Sequence, residues 1–207
     1  MQAACLIPST RPHTLPRAVK SARDDGWHVL VIEDTEREGV CLTRNRLLQQ
    51  AFDAGYDIVR YLDDDDIILP HLERILPFFE AGSDVVYTDY RLLKDGISKP
   101  KVMFANPATC VTSLPVDCCG WIATTESLRK VETIYDQLWP PFPLTEGYHV
   151  FLQMFKTGLR IDYCPVKAFE YCYGDDGLHT QPNGELWIAR YWAEVENLKH
   201  TSPHLFE

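Results

Sequence analysis

Short, uninterrupted apolar runs alternate along the chain with longer segments in which apolar residues recur every three or four positions. The short runs predict buried strands and the longer segments predict amphipathic helices. In the first half of the chain the strands fall on residues 3–8, 27–32, 58–62 and 84–89. The intervening helices cover residues 15–24, a segment capped by Thr43 and a segment opened by Pro70. This alternation predicts an α/β fold with a mainly parallel sheet sandwiched by helices.

The second half of the chain is less regular. Residues 90–102 predict a hairpin that turns at Lys94-Asp95-Gly96, and residues 107–120 predict the wall of a pocket. Helices are predicted over residues 125–131, 148–156 and 185–198, and a strand over residues 159–163. No repeat or low-complexity linker interrupts the chain, so we expect a single domain over residues 1–207.

Composition argues against several classes of function. The net charge of -10 gives no general electrostatic attraction to nucleic acid or to an anionic membrane surface. No apolar run is long enough to span a membrane, and the N-terminal stretch lacks the basic segment of a signal peptide, so a cytoplasmic location is predicted. The seven cysteines are odd in number and contain no Cys-x-x-Cys pair, which indicates reduced thiols rather than disulfides or a zinc site.

Four consecutive aspartates, Asp63, Asp64, Asp65 and Asp66, directly follow the third predicted strand. Neighbouring like charges raise the pKa of each carboxyl unless a cation compensates them. In extended backbone, Asp63 and Asp65 would point one way, and Asp64 and Asp66 the other. One pair could then hold Mg or Mn, because these ions prefer oxygen ligands. The alternative is a solvated acidic turn.

Polar clusters follow three of the predicted strands. They are Ser9-Thr10-Arg11, Glu33-Asp34-Thr35 and the aspartate run. Ligands of parallel α/β sheets bind beyond the carboxyl ends of the strands. The agreement of three strand ends favours a ligand site over a solvated turn.

Taken in order, these motifs resemble those of the family 2 glycosyltransferases with the GT-A fold, over roughly residues 4–180. The similar segments are Pro8-Ser9-Thr10 after the first strand, Ile32-Glu33-Asp34-Thr35 in place of Val-Asp-Asp-Gly-Ser, Thr43-Arg44-Asn45 in place of Ala-Arg-Asn, and Tyr61-Leu62-Asp63-Asp64-Asp65-Asp66 in place of Leu-Asp-x-Asp-Asp, which contains the family's DxD motif. The resemblance implies a Rossmann-like GT-A domain, with a nucleotide-binding half over about residues 1–100 and an acceptor half over about residues 101–207.

The resemblance also implies a metal-dependent transferase that moves a sugar from a nucleotide-diphosphate donor, such as a UDP-sugar, to a hydroxyl acceptor with inversion. Asp65 would coordinate the Mn or Mg ion that bridges the donor pyrophosphate. Arg44 would either assist the phosphates or form a salt bridge that orders the aspartates. The donor-binding group as a whole would contain Pro8, Thr10, Asp34, Arg44, Asp63 and Asp64.

Two parts of the chain depart from the family pattern. Where the family has two acids at the head of a helix, this chain has Glu146-Gly147. Glu146 could be the catalytic base, or it could be a helix acid stabilised by the macrodipole, with His149 as a reserve base. The family's metal-binding histidine is absent from Tyr171-Cys172-Tyr173-Gly174. His179 could take its place, water could do so, or His179 could be an exposed loop residue.

Two rival functions remain open at this stage. A catalytically degenerate nucleotide-sugar-binding module is supported by Gly147 and Gly174. A nucleotidyltransferase would need a glycine-rich loop after the first strand, and residues 8–12 contain no glycine. The resemblance implies a carbohydrate acceptor; a protein side chain or a hydroxylated base in nucleic acid is also open, the latter disfavoured by the acidic charge.

Overall fold

The computed structural model describes residues 1–94, 97–113, 116–135, 146–172 and 184–206. Within them, eight strands form one sheet: β1 (Ala3–Ser9), β2 (His28–Glu33), β3 (Ile58–Tyr61), β4 (Ile67–Ile68), β5 (Val85–Lys94), β6 (Ile97–Lys101), β7 (Trp121–Thr124) and β8 (Ile161–Cys172). The α-helices are α1 (Leu15–Asp24), α2 (Val40–Asp53), α3 (Leu72–Glu80), α4 (Pro107–Ser113), α5 (Thr125–Tyr135), α6 (Glu146–Lys156) and α7 (Gly184–Thr201). Short 3-10 helices cover Cys118–Gly120 and Pro203–Leu205.

The sheet has the strand order β2-β1-β3-β7-β5-β8-β4, and β6 pairs with β5. Strands β1, β2, β3, β5 and β8 run in one direction, whereas β4, β6 and β7 run in the other. The prediction of a mainly parallel α/β sheet with GT-A architecture is confirmed. Because β7 lies between β3 and β5, strands from the two halves of the sequence share one sheet.

The central strands have no polar face. All seven residues of β1 and all four residues of β3 are buried, because helices cover both sides of the sheet. Helix α2 supplies part of this cover and buries Leu47, Leu48, Ala51 and Phe52, the apolar face that the sequence predicts. Arg60 is the charged residue buried within β3, and the polar clusters of the sequence lie at the strand ends.

The predicted start of the second helix is wrong. Helix α2 begins at Val40, after Gly39 with φ 109°, so Thr43 lies in the first turn and its hydroxyl donates to the Gly39 carbonyl at 3.1 Å. The carboxylate of Asp34 accepts the backbone N–H groups of Glu38 and Gly39 at 2.8 and 2.9 Å. This acid from the preceding loop therefore fixes the chain before the helix, and a capping side chain at position 43 is not needed.

The second half contains structure that the sequence pattern does not reveal. Residues 107–113 form α4, residues 121–124 form β7, and β8 continues to Cys172 rather than ending at residue 163. The predicted hairpin is present as β5 and β6. No helix in the described ranges is both long enough and apolar enough to cross a membrane.

Candidate functional site

Three strand ends meet at one edge of the sheet, as the sequence predicts. The Ser9 carbonyl at the end of β1 accepts the N–H of Asp34 at 2.8 Å, which joins the end of β2 to β1. The Ser9 hydroxyl donates to Asp64 at 3.0 Å, which joins the segment after β3 to the same point. The aspartate run therefore lies at the carboxyl edge of the parallel strands.

Asp64 organises the loop that follows β1. It is 2% exposed, and it accepts the Ser9 hydroxyl, the backbone N–H groups of Thr10 and Arg11 at 2.9 and 2.8 Å, and Arg11 Nε at 2.8 Å. With both oxygens occupied by this loop, Asp64 holds the loop backbone in place.

Arg11 also binds the neighbouring acid. Its Nη1 lies 2.6 Å from the carboxylate of Asp65, while Arg17 from α1 donates to the Asp65 carbonyl at 2.7 Å. Burial raises the pKa of Asp65, and the charge of Asp63 raises it further, against the opposing effect of Arg11. The sequence pattern does not reveal that Arg11 neutralises the aspartates, although its position in the polar cluster after β1 is the signal for it.

Arg44 binds Asp63. The guanidinium is 2% exposed and donates to Asp63 at 2.7 Å, and the same nitrogen donates to the thiol of Cys118 at 3.2 Å. Tyr61 donates to the Arg44 carbonyl at 3.2 Å, which ties α2 to the end of β3. The structure thus shows the salt bridge that orders the aspartate run. Assistance of Arg44 to donor phosphates stays a prediction.

Asp66 is the most deeply buried acid of the run, at 1% exposure. One oxygen accepts the backbone N–H of Cys172 at 2.8 Å, and the other has no hydrogen-bond partner among the described residues. Burial raises the pKa of Asp66 well above its usual value, and the charges of Asp63 and Asp65 add to this effect. Asp63 and Asp65 are 30% and 22% exposed, so exposure alternates along the run although these residues form a turn rather than a strand.

A divalent cation fits these carboxylates. The charge of Asp63 raises the pKa of Asp65, the charges of Asp63 and Asp65 raise the pKa of Asp66, and a buried carboxylate oxygen of Asp66 lacks a partner among the described residues. A hard cation with oxygen ligands would relieve both features. Such a cation is implied by the fold family, and the residues of the run match its chemistry.

A neighbouring group of possible ligands does not suit such an ion. Ligand atoms of Asp63, Cys118 and Cys119 lie within 4.8 Å of one another. The hydrogen bond between the two thiols lowers the pKa of Cys118, but burial raises it, to about 12 in all. Protonated thiols bind Mg or Mn poorly, and the Arg44 guanidinium already lies between Asp63 and Cys118.

The other predicted donor residues lie at or near the same edge of the sheet. Asp34 lines an open depression of about 290 Å³, together with Ile32, Thr35, Thr43 and Arg46. Pro8 is buried inside β1, and Thr10 is exposed at its end. A second depression, of about 340 Å³, is lined by Arg74, Arg91 and Lys167 and contains none of the predicted site residues.

Of the residues predicted for catalysis and metal binding in the second half, the structure describes the side chain of His149 only. Helix α6 begins at Glu146, whose side chain lies outside what the structure describes, as does His179. The reserve base His149 is buried, and its Nδ1 lies 3.4 Å from the carboxylate of Glu194 in α7. His149 therefore joins two helices in this structure.

Gly147 departs from the family pattern for a steric reason. A Cβ atom at this position would lie 2.5 Å from the backbone nitrogen of Cys118 and 2.8 Å from Asp117 Oδ1. No side chain fits there without a backbone shift. The acid that lies beside this point, Asp117, is missed by the sequence analysis. Its signal is its position directly before Cys118-Cys119 in a segment predicted to form a pocket wall.

Comparisons with known proteins concern the fold and the first half of the chain. Residues 10–102 match the model of glycosyl transferase family 2. The S. aureus TarS 1–349 structure in complex with UDP-GlcNAc is 14% identical, with a TM-score of 0.66 over 98% of this chain and 73% of that chain. A crystal structure of S. aureus TarS has a TM-score of 0.64 at 14% identity, over 98% of this chain but only 44% of that chain. A197 from STIV is 17% identical, with a TM-score of 0.56 over 80% and 82% of the two chains. No curated protein matches the chain.

The strand order of the sheet and the likeness to these structures define a protein with the GT-A fold. Its residues 10–102, just under half of the chain, are similar to glycosyl transferase family 2.

Proposed function

We propose that the chain is a metal-dependent glycosyltransferase that moves a sugar from a UDP-sugar to a hydroxyl acceptor with inversion. The observation that carries this proposal is the convergence of Asp63, Asp65 and Asp66 at the carboxyl edge of the sheet, where one buried oxygen of Asp66 lacks a hydrogen-bond partner among the described residues. The complexes of S. aureus TarS with UDP and UDP-GlcNAc support the choice of UDP.

The metal would be Mn or Mg. When bound, such a cation supplies the positive charge that stabilises a departing diphosphate. Asp65 and the unpartnered oxygen of Asp66 would hold it, with Asp63 nearby, and His179 stays a proposed ligand. Because Arg11 now binds Asp65, this guanidinium would either move toward the donor phosphates or share the carboxylate with the ion.

The donor would lie along the strand ends. The depression beside Asp34 would take the base, with Pro8 and Thr10 on the β1 side, and Asp63 would accept a hydrogen bond from the ribose. Asp64 would contribute indirectly, since it fixes the backbone of Thr10 and Arg11. The donor could thus bind to a surface that is already ordered, which lowers the entropic cost of binding.

The transfer itself needs a proton acceptor for the acceptor hydroxyl. The hydroxyl oxygen attacks the anomeric carbon, the bond from that carbon to the phosphate oxygen breaks, and the electron pair leaves with UDP. The resemblance gives Glu146, the first residue of α6, as the candidate for this role.

Two variants test this proposal. Asp65→Ala is expected to lower Mn-dependent UDP binding and to reduce UDP release from a UDP-sugar by about 100-fold or more. Glu146→Gln is expected to bind UDP as the unmodified protein does, and its transfer rate tests the sequence-based choice of base. Asp53→Ala, an exposed acid of α2 bonded to Gln49, is the matched control and should change neither measurement. Unchanged UDP release in Asp65→Ala would contradict the metal-dependent mechanism.

A second candidate function is a donor-binding module without catalysis. It is supported by the packing at Gly147, which leaves no room for an acid at that position. Calorimetry showing Mn-dependent UDP binding, combined with no UDP release from any nucleotide sugar, would favour the module. Release of pyrophosphate instead of UDP would indicate a nucleotidyltransferase.

A further inference from the structure

The carboxylate of Asp117 lies against the first turn of α6. Its Oδ1 is 2.8 Å from the point at which a Cβ atom on Gly147 would stand. It therefore occupies space that an acidic side chain at position 147 would need. The glycine at 147 and the acid at 117 are thus two parts of one arrangement, in which the carboxylate at the head of α6 comes from a different segment of the chain.

Three hydrogen bonds fix the segment that carries Asp117. Arg60, which is fully buried, donates to the Cys119 carbonyl at 2.8 Å, and Arg44 donates to the Cys118 thiol at 3.2 Å. Asp117 itself accepts the N–H of Cys118 at 2.6 Å and so begins the 3-10 helix Cys118–Gly120. A carboxylate anchored in this way has a fixed position, which proton transfer in a bound complex requires.

Asp117 also lies within the electrostatic reach of the aspartate run. Burial raises the pKa of Tyr171 and of Tyr90, and the charge of Asp117 is the next contribution in both cases. The same charge contributes to the raised pKa of Asp66, after burial and the charges of Asp63 and Asp65. Asp117 and the proposed metal-binding acids therefore belong to one electrostatic environment.

The acids of this region are not equivalent. Asp63, Asp64 and Asp65 are bound by Arg44 or Arg11, and Asp66 is buried, with one oxygen bound to Cys172 N–H and the other lacking a partner among the described residues. Asp117 is half-buried and comes from a separate element. The proposed cation and donor site is thus formed by the aspartate run, and Asp117 lies on a separate element, against the head of α6.

We propose that Asp117 takes the proton from the acceptor hydroxyl, a role that rests on the proposed glycosyl transfer. The acceptor O–H bond breaks and its proton passes to the Asp117 carboxylate. The acceptor oxygen forms the bond to the anomeric carbon, and UDP leaves with the electron pair of the broken carbon–oxygen bond. The carboxyl group then returns its proton to water. Glu146 would be a helix acid rather than the base.

The test compares Asp117→Asn with Glu146→Gln. Asparagine is similar in size and keeps an oxygen for the Cys118 N–H. With Mn present, Asp117→Asn is expected to bind UDP within about threefold of the unmodified protein and to lose about 100-fold or more in transfer rate. Glu146→Gln should stay within about fivefold in rate. The opposite pattern, with Glu146→Gln inactive and Asp117→Asn active, would overturn the role of Asp117 and leave the glycosyl transfer intact.

A second variant separates proton transfer from structural support. Asp117→Ser keeps a side chain that can cap the 3-10 helix but leaves space beside it. Added formate is expected to restore its transfer rate by about tenfold, within the range that a positioned base contributes, with no effect on the unmodified protein. Loss of UDP binding in both Asp117 variants, without rescue by formate, would overturn the proposal in favour of a structural role. An unmodified protein that binds UDP but transfers no sugar would remove the proposed function, and this role with it.

Discussion

Arg44 and Asp63 form an ion pair with a 2.7 Å contact, in which the cation is 2% exposed and the anion 30% exposed. The buried guanidinium also reaches the thiol of Cys118, 74 positions away in sequence. One side chain of α2 thus joins the end of β3 to the segment that carries Asp117. The geometry of the site therefore depends on a charge that solvent does not reach.

Arg44→Lys should loosen this junction. A lysine lacks the planar fork of several donors and cannot reproduce the contacts to Asp63 and Cys118 together. We expect the free energy of unfolding to fall by about 2 kcal/mol in urea titrations. Arg46→Lys is the control, because Arg46 pairs with Glu38 at the surface and the substitution should change stability far less. Equal losses in the two variants would contradict the importance of the buried contact.

Asp66→Asn should make the metal-free protein more stable at neutral pH. The raised pKa of Asp66 means that the folded state keeps a proton that the unfolded state has released. The stability associated with this proton is present below about pH 3.8, the ordinary pKa, and is lost as pH rises toward the folded value. In EDTA, the melting temperature of Asp66→Asn should therefore exceed that of the unmodified protein at pH 7 and equal it near pH 3.

The same substitution should weaken the response to metal. Mn is expected to raise the melting temperature of the unmodified protein more than that of Asp66→Asn, because the amide is a neutral and weaker ligand. If Asp66→Asn is neither more stable without metal nor less stabilised by Mn, then the buried charge of Asp66 does not destabilise the fold and Asp66 does not bind the metal.

Gly147→Ala should destabilise the protein through overpacking. The added methyl group would meet the Cys118 nitrogen at 2.5 Å, a backbone atom that cannot turn aside, and we expect a loss of about 1–3 kcal/mol. Gly55→Ala separates crowding from backbone strain, since Gly55 has φ +74° but nothing within 4 Å. It should cost about 1 kcal/mol. If Gly147→Ala leaves the free energy of urea unfolding unchanged, then the 3-10 helix that carries Cys118 can shift at little energetic cost.

Glu194 should contribute a pH-dependent part of the stability. Its hydrogen bond with His149, followed by that with Lys156, lowers the pKa of Glu194 from 4.5 to about 2. A depressed carboxyl pKa stabilises the fold above pH 4.5, and this stability is lost as pH falls from 4.5 toward 2. Glu194 is 37% exposed, so solvent screening limits the contribution to about 1 kcal/mol.

Glu194→Gln should flatten the stability profile between pH 4.5 and 2, as measured by thermal unfolding. Glu80→Gln, an exposed acid at the end of α3, should leave the profile unchanged. A profile that is identical in the two variants would show that the contact between α6 and α7 carries no net electrostatic energy.

Most of the first half of the fold, and the position of the polar clusters at the carboxyl edge of the sheet, were predictable from sequence. A short continuous apolar run such as 3–8 is typical of a strand covered on both faces, and acids that directly follow such strands lie at the sheet edge. The start of α2 was not predictable, because its stabilising acid, Asp34, belongs to the preceding loop.

By itself, the sequence determined most strands and helices of the first half, apart from β4 and the start of α2, since these elements follow from local periodicity. Only the tertiary structure decided that Arg11 binds Asp64 and Asp65, that β7 enters the sheet between β3 and β5, and that Asp117 stands in the space denied to a side chain at 147. The physical reason is that periodicity reports which face of an element is buried, whereas contacts between distant segments depend on how those faces pack.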